Sequence, residues 1–428
     1  MSPQTSSFPS TAGPNSEETR RGSSSGSLLA GSQGAQFTDS LPFNARLLKS
    51  NFLLALLLFF AIDLFCRMNF RPDRFDLPEH NEIWWSMHCF RQLERPPDLL
   101  IFGSSLMLAV TNNGDATYLK QPLDGALHHQ SFCLEENLSR HLKKPIRSYS
   151  FAVGGQMASD AYAIERTMID KANRPQLVVW GIAPRDLVDA AFDGAASSDT
   201  ARYMNKIAGA QIIPPGHRSL PAYIDKAISR LSYLYQMRTD FVCVKQNFLR
   251  ELRKGLEKIA KPASLPFFQK ALDQGGEPPQ EIEIGDRIIG VCTHYPETIK
   301  DNTREYRKRY NPFKLKTLIE QASYLERFLS LNRELGSRVV LVNMPLTAQN
   351  QQLMPIGLYD SYLSELRLLA SKYGAEVLDL NSPSIFSSKE FFDTAHLNGL
   401  GGEKLARLLS SHLNQTWPNK AQAKDQCR

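Results

Sequence analysis

Asp98-Leu99-Leu100-Ile101-Phe102-Gly103-Ser104-Ser105-Leu106 is the stretch whose reading decides the fold. Its apolar run is continuous rather than alternating, and it stops at a glycine. That is the pattern of a short strand covered on both faces, as in a parallel sheet. The same pattern returns at Ile146–Val153, Leu177–Ile182, Arg338–Met344 and Ala375–Leu380. Helical spacing separates these runs at about 133–143, 157–172, 313–335 and 357–373, and a last helix follows at about 401–414. Alternation of this kind predicts an α/β fold, a doubly wound, flavodoxin-like, five-stranded parallel sheet.

One interval breaks the rhythm. Residues 187–310 contain no clear buried strand, but they carry Pro214-Pro215, amphipathic helix around 221–259, and acidic, proline-rich turns. A structureless loop of that length does not suit a compact domain. The interval therefore reads as a mostly helical insertion on the functional edge of the sheet. With it the α/β domain spans 98–414, and 415–428 form a polar tail.

Upstream, residues 1–40 are rich in Ser, Gly, Gln and Thr and too poor in apolar side chains to offset their ordering entropy. They read as a disordered tail. Gly22-Ser23-Ser24-Ser25-Gly26 matches a nucleophile-elbow pattern in form only, because it lacks the flanking strand and helix. The apolar stretch 47–66 approaches the roughly 20 residues of a bilayer-spanning helix. Asp63 lies near one end, where a charge can reach the interface. No small-x-small cleavage site follows, so an uncleaved anchor is expected; a buried amphipathic helix is the alternative. Residues 67–97 form a membrane-proximal linker. Arg46 and Lys49 on one side and Arg67, Arg71 and Arg74 on the other leave the orientation open.

Composition narrows the chemistry. A net charge of +6 over 428 residues, without a dense Lys/Arg tract, gives nucleic-acid binding no support. The six cysteines are scattered, with no C-x-x-C and no zinc spacing, and no phosphate-binding loop occurs. No cofactor or metal is expected. A Cys89–Cys133 bridge stays open.

Ser105 directly follows the first strand, and sites in parallel sheets form at the strands' C-terminal ends. A serine hydroxyl needs a base, and the base needs a third group to hold its tautomer. Asp393-Thr394-Ala395-His396 supplies both, with one turn of backbone placing Asp393 and His396 on the same face. Each motif also has a bland reading. Gly-Ser-Ser is often only a turn, and Asp393 could simply cap the helix after it. Their order and strand-end placement favour one site.

These motifs resemble the SGNH/GDSL hydrolase superfamily, whose first block ends in Gly-Asp-Ser-Leu and whose last is Asp-x-x-His. The resemblance covers roughly 98–186 and 311–414. It implies Ser105 as nucleophile, Asp393 as acid and His396 as base. It also implies an oxyanion-hole glycine at Gly155, with Gly154 the next match, in Ala152-Val153-Gly154-Gly155-Gln156. The third block departs, because Gly181-Ile182-Ala183-Pro184-Arg185-Asp186 stands where the family has Gly-x-Asn-Asp. Arg185 is then the candidate oxyanion or substrate contact, unless Arg185-Asp186 is an exposed ion pair worth little. Gly-Ser-Ser, the anchor and Val342-Asn343-Met344-Pro345-Leu346 are similar to a membrane-anchored, DltD- and AlgJ-type subgroup.

That resemblance implies a single-pass cell-membrane protein with an exoplasmic domain, working beside a membrane-bound O-acyltransferase. It implies an esterase or O-acyltransferase for an acylated glycan or lipid. The alternative is a non-catalytic accessory protein of such a complex. His294 reads as a loop residue, and His88 belongs with Trp84 and Trp85 at the membrane interface.

Overall fold

A computed structural model describes residues 51–192, 194–208, 212–213, 220–259, 281–284, 287–290 and 299–417. Five strands, β1 (Leu99–Gly103), β2 (Ser148–Ser150), β3 (Leu177–Ile182), β6 (Arg338–Asn343) and β7 (Glu376–Asp379), form one sheet in the order β2-β1-β3-β6-β7. Every neighbouring pair is parallel. The register is continuous through the centre, with Gly103 opposite Gly181 and Val342 opposite Gly181 on the other side. The central strands are buried on both faces because they are apolar at every position, not at every second one. Trp180 is the largest fully buried side chain, and it packs against Phe328 of the helix Leu315–Leu335. The α/β reading therefore holds, with β2 shorter than its apolar run.

The insertion differs from its reading in two ways. It holds an antiparallel strand pair, β4 (Glu281–Ile284) and β5 (Arg287–Gly290). Its long helical stretch is also broken into Leu220–Leu231, Tyr233–Gln236 and Arg238–Ile259. The first break has an electrostatic cause. The carboxylate of Asp63 accepts hydrogen bonds from the Ser232 hydroxyl at 2.6 Å and from the Tyr233 and Leu234 N–H groups at 3.0 and 2.8 Å. An anion at a new helix start satisfies donors that have no intrahelical acceptor. Asp63 is thus buried against the insertion instead of reaching an interface.

The apolar helix Asn51–Asn69 crosses the division between two compact units, Met1–Phe59 and Phe60–Arg428. In the first unit, the described residues 51–59 are helical with mostly exposed side chains. The helix is long and apolar enough to cross a membrane. Trp84 and Trp85, read as interfacial, are instead buried at 3% and 2% exposure, and Trp84 lies stacked between His80 and His88. Cys89 and Cys133 are not joined to each other, so the bridge left open is not formed. The tail 1–40 with its Gly22–Gly26 motif, His294, Cys292, Cys427 and residues 418–428 lie outside the described residues.

The last helix, Gly399–Thr416, packs across a π-helical turn, Ala109–Gly114, that follows β1. A Cβ at Gly402 would lie 2.7 Å from the Ala109 carbonyl oxygen and 3.0 Å from the Gly114 Cα. Backbone meets backbone there, so a side chain cannot be admitted by a rotamer change. Gly402→Ala should cost roughly 1–3 kcal/mol, as overpacking does. Gly255→Ala is the control, because nothing lies within 4 Å of that helical position. Urea unfolding should place the first variant below wild type and the second at or above it. Equal midpoints for the two variants would contradict the packing.

Candidate active site

β1 ends in Gly103, whose φ of +155° and Cβ-excluding neighbours, Met107 Cβ at 2.5 Å and the Gly181 carbonyl at 2.9 Å, demand glycine. The chain turns there through an extended Ser104 into the short helix Ser105–Leu108. As the first helical residue, Ser105 has an N–H with no intrahelical acceptor. Its Oγ lies 2.8 Å from His396 Nε2. On the other side of the ring, Nδ1 lies 2.8 and 3.0 Å from the two carboxylate oxygens of Asp393. A carboxylate only accepts, so Nδ1 carries the proton and Nε2 faces the serine hydroxyl. The three residues singled out in sequence are thus in one hydrogen-bonded line.

The turn that joins Asp393 to His396 is not helical. Asp393 Oδ1 accepts the N–H groups of Ala395 and His396, both at 2.8 Å, and so forms an Asx-turn. Burial pushes the Asp393 carboxyl up. The hydrogen bond to and charge of His396, with those backbone donors, outweigh it and hold the group below the usual carboxylate range. Other residues clamp the loop. Asn302 Oδ1 accepts from the Thr394 N–H at 3.2 Å and from its hydroxyl, while Thr347 Oγ1 donates to the Thr394 carbonyl at 2.7 Å. Tyr306, on the helix Thr303–Tyr310, sets its ring edge-on to His396 with centroids 6.3 Å apart. This returning segment brings part of the insertion to the histidine side of the site.

The second block follows β2. The Gly154 N–H is donated to Glu82 at 2.7 Å, which takes it out of any oxyanion hole. Gly155 has φ +76°, and its N–H has no partner among the described residues. Gln156 is a residue the sequence reading passed over. Its Oε1 accepts from the Gly103 N–H at 2.9 Å and its amide donates to the Phe151 carbonyl at 2.8 Å, tying Gly155 to the strand end beside Ser105.

Arg185 is buried, not exposed. It is 3% accessible, with Nη1 3.1 Å from Asp186 and Nε 3.0 Å from Asp189, and Asp189 also takes Arg309 at 2.7 Å. The remaining Nη2 is buried without a partner and lies 3.6 Å from where a Gly155 Cβ would be. An orphaned cationic donor is expensive unless something arrives to use it.

Beside Ser105 opens a cavity of about 320 Å³ lined by Leu108, Ala109, Phe392 and Leu397, with Asn112 and Asn113 from the π-helical turn. Such turns are frequent at functional sites. Among the described residues, no three His, Cys, Asp or Glu side chains are placed to hold a metal ion.

No family model matches this chain, and no curated protein matches it. Among solved structures, acetylxylan esterase Axe2 of Geobacillus stearothermophilus aligns over 76% of this chain and 96% of its own, at 10% identity and a TM-score of 0.32. A candidate acylhydrolase of Bacteroides fragilis covers 78% and 95%, at 10% and 0.33. A candidate GDSL-like lipase of Parabacteroides merdae covers 75% and 98%, also at 10% and 0.33. With scores and identities this low, the functional reading stands on this chain's own side chains.

Two buried carboxyls near Arg185 give a pH signature. Burial raises Asp160 to about 7, against the Ser198 hydroxyl and the Met157 N–H, and raises Asp186 to about 6, against Arg185. Between the ordinary value near 3.8 and these values, the folded chain keeps protons the unfolded chain has lost. Their contribution to stability therefore falls as pH rises through that window. Asp160→Asn should flatten the fall of the urea midpoint between about pH 4 and 7. An unchanged slope would contradict the assignment.

Proposed function

We propose that this protein is a serine acyl-transfer enzyme of the SGNH type, with Ser105 as nucleophile, His396 as general base and Asp393 as orienter. The observation that carries the reading is the 2.8 Å contact between Ser105 Oγ and a His396 ring whose other nitrogen is held by a carboxylate. As Oγ attacks an ester carbonyl carbon, its proton passes to Nε2 and the carbonyl electrons move onto oxygen. The Ser105 and Gly155 N–H groups and the free Arg185 Nη2 are the donors for that oxyanion. Arg185 takes the place of the asparagine the resemblance leads one to expect. When the tetrahedral intermediate collapses, the departing alcohol oxygen takes the proton from Nε2, leaving an acyl-serine. His396 then deprotonates the acceptor that removes the acyl group. Water as acceptor makes the reaction hydrolysis; a sugar or polyol hydroxyl makes it O-acyl transfer.

The cavity beside Ser105 lies at the small end of the range for ligand pockets, which suits a short acyl group. The apolar helix is read as a membrane anchor that holds the domain beside the envelope, on the exoplasmic side, near a membrane-bound O-acyltransferase. The substrate class is an acylated envelope glycan or lipid.

The full chain in neutral detergent should react with a fluorophosphonate and hydrolyse a 4-nitrophenyl acyl ester. Ser105→Ala should lose the label and at least ~10³-fold in turnover. Arg185→Lys keeps the charge but not the guanidinium fork, and should lose ~10²-fold in kcat with KM little changed. Undiminished labelling of Ser105→Ala would end the reading.

A further inference from the structure

The last turn of the apolar helix and the residues after it line a second cavity, of about 700 Å³, to which Arg67, Arg71, Arg74, Arg91 and Lys206 contribute. Two of these cations are matched. Arg67 lies 3.8 Å from Asp63, and Lys206 is bonded to Asp240. Arg71, Arg74 and Arg91 have no carboxylate partner among the described residues, and Asp73 is the one acidic side chain in the lining. Three guanidiniums without a carboxylate partner repel each other around one concave space, and the fold keeps them there. Guanidinium is the side chain best shaped for a phosphate, through paired N–H donors. Asp73 adds a second feature, since its buried Oδ1 has no hydrogen-bond partner. That oxygen is an acceptor for a hydroxyl on the same ligand. Trp84, Tyr203 and Tyr233 also line the wall.

We propose that this cavity binds the phosphate of an anionic, hydroxyl-bearing phospholipid headgroup. The chemistry is that of a phosphate ester, and a soluble glycerol phosphate presents it too. Chain position favours the lipid. Arg67 closes the helix Asn51–Asn69, and Arg71 and Arg74 follow within two turns. If that helix spans a bilayer, as proposed above, these side chains stand at the headgroup level, where basic residues are attracted to an anionic surface. The inference rests on the membrane reading and not on the Ser105 chemistry.

The test uses the full chain in neutral-detergent micelles, titrated calorimetrically with short-chain phosphatidylglycerol, short-chain phosphatidylcholine and glycerol phosphate. Phosphatidylglycerol should bind at least tenfold more tightly than the other two. The triple variant Arg71→Ala/Arg74→Ala/Arg91→Ala should lose that preference while keeping fluorophosphonate labelling, which reports an intact fold. Equal binding of phosphatidylglycerol and phosphatidylcholine, or unchanged binding by the variant, overturns the site. Equal binding of glycerol phosphate overturns the lipid assignment. Carbonate extraction of native membranes tests the anchor separately: release of the chain would remove the bilayer premise, whatever the calorimetry shows.

Discussion

The hydrogen bond between Ser105 Oγ and His396 Nε2 joins segments 291 positions apart, and much of the architecture serves to hold it at 2.8 Å. Neither end is positioned by its immediate neighbours alone. On the serine side, the parallel sheet fixes where β1 stops, and a glycine with positive φ turns the chain sharply into Ser105. On the histidine side, an Asx-turn sets the ring against Asp393, and Asn302 and Thr347 clamp the loop from two separate parts of the chain. The close passage of Gly402 over the turn at Ala109 then brings the two halves together. Because that contact is backbone on backbone, its spacing is set by glycine and not by adjustable side chains.

Charge is arranged around this bond with some care for what remains unpaired. Arg185, Asp186, Asp189 and Arg309 form a buried cluster in which most polar atoms have partners. Replacing such a cluster by apolar residues is often neutral or stabilising, so stability alone does not explain it. The unpaired Nη2 beside Gly155 does suggest a reason. A fixed cationic donor at the place where negative charge develops costs little reorganisation during reaction. The desolvation that pushes Asp160 and Asp186 up is part of what it costs to keep that arginine dry.

The central strands β1 and β3 were readable because each is an unbroken apolar run, and Leu177–Ile182 matches its strand to the residue. The Ser105, Asp393 and His396 constellation was readable from order and strand-end placement, although the mechanism joining the last two is an Asx-turn and not a helical one. What escaped depends on distant partners. The antiparallel pair Glu281–Ile284 and Arg287–Gly290 hides among acidic and charged residues that read as turns. The break at Ser232 follows from Asp63, which no local pattern shows. Tyr306 lies in Thr303–Tyr310, a strongly basic helix that reads as a solvated face. Its signal was the Tyr306/Tyr310 pair at helical spacing, both buried. Gln156 and Asn302 act through hydrogen bonds to residues far away in sequence, Gly103 and Thr394, and polar residues of that kind look like ordinary loop.

The most direct measurement of the central claim is the mass of the full chain quenched during turnover of a 4-nitrophenyl acyl ester. Peptide mapping should find one acyl group on the peptide that carries Ser105, chasing off with time, and none in Ser105→Ala. An acyl group on another residue, or turnover that persists without Ser105, would contradict the account.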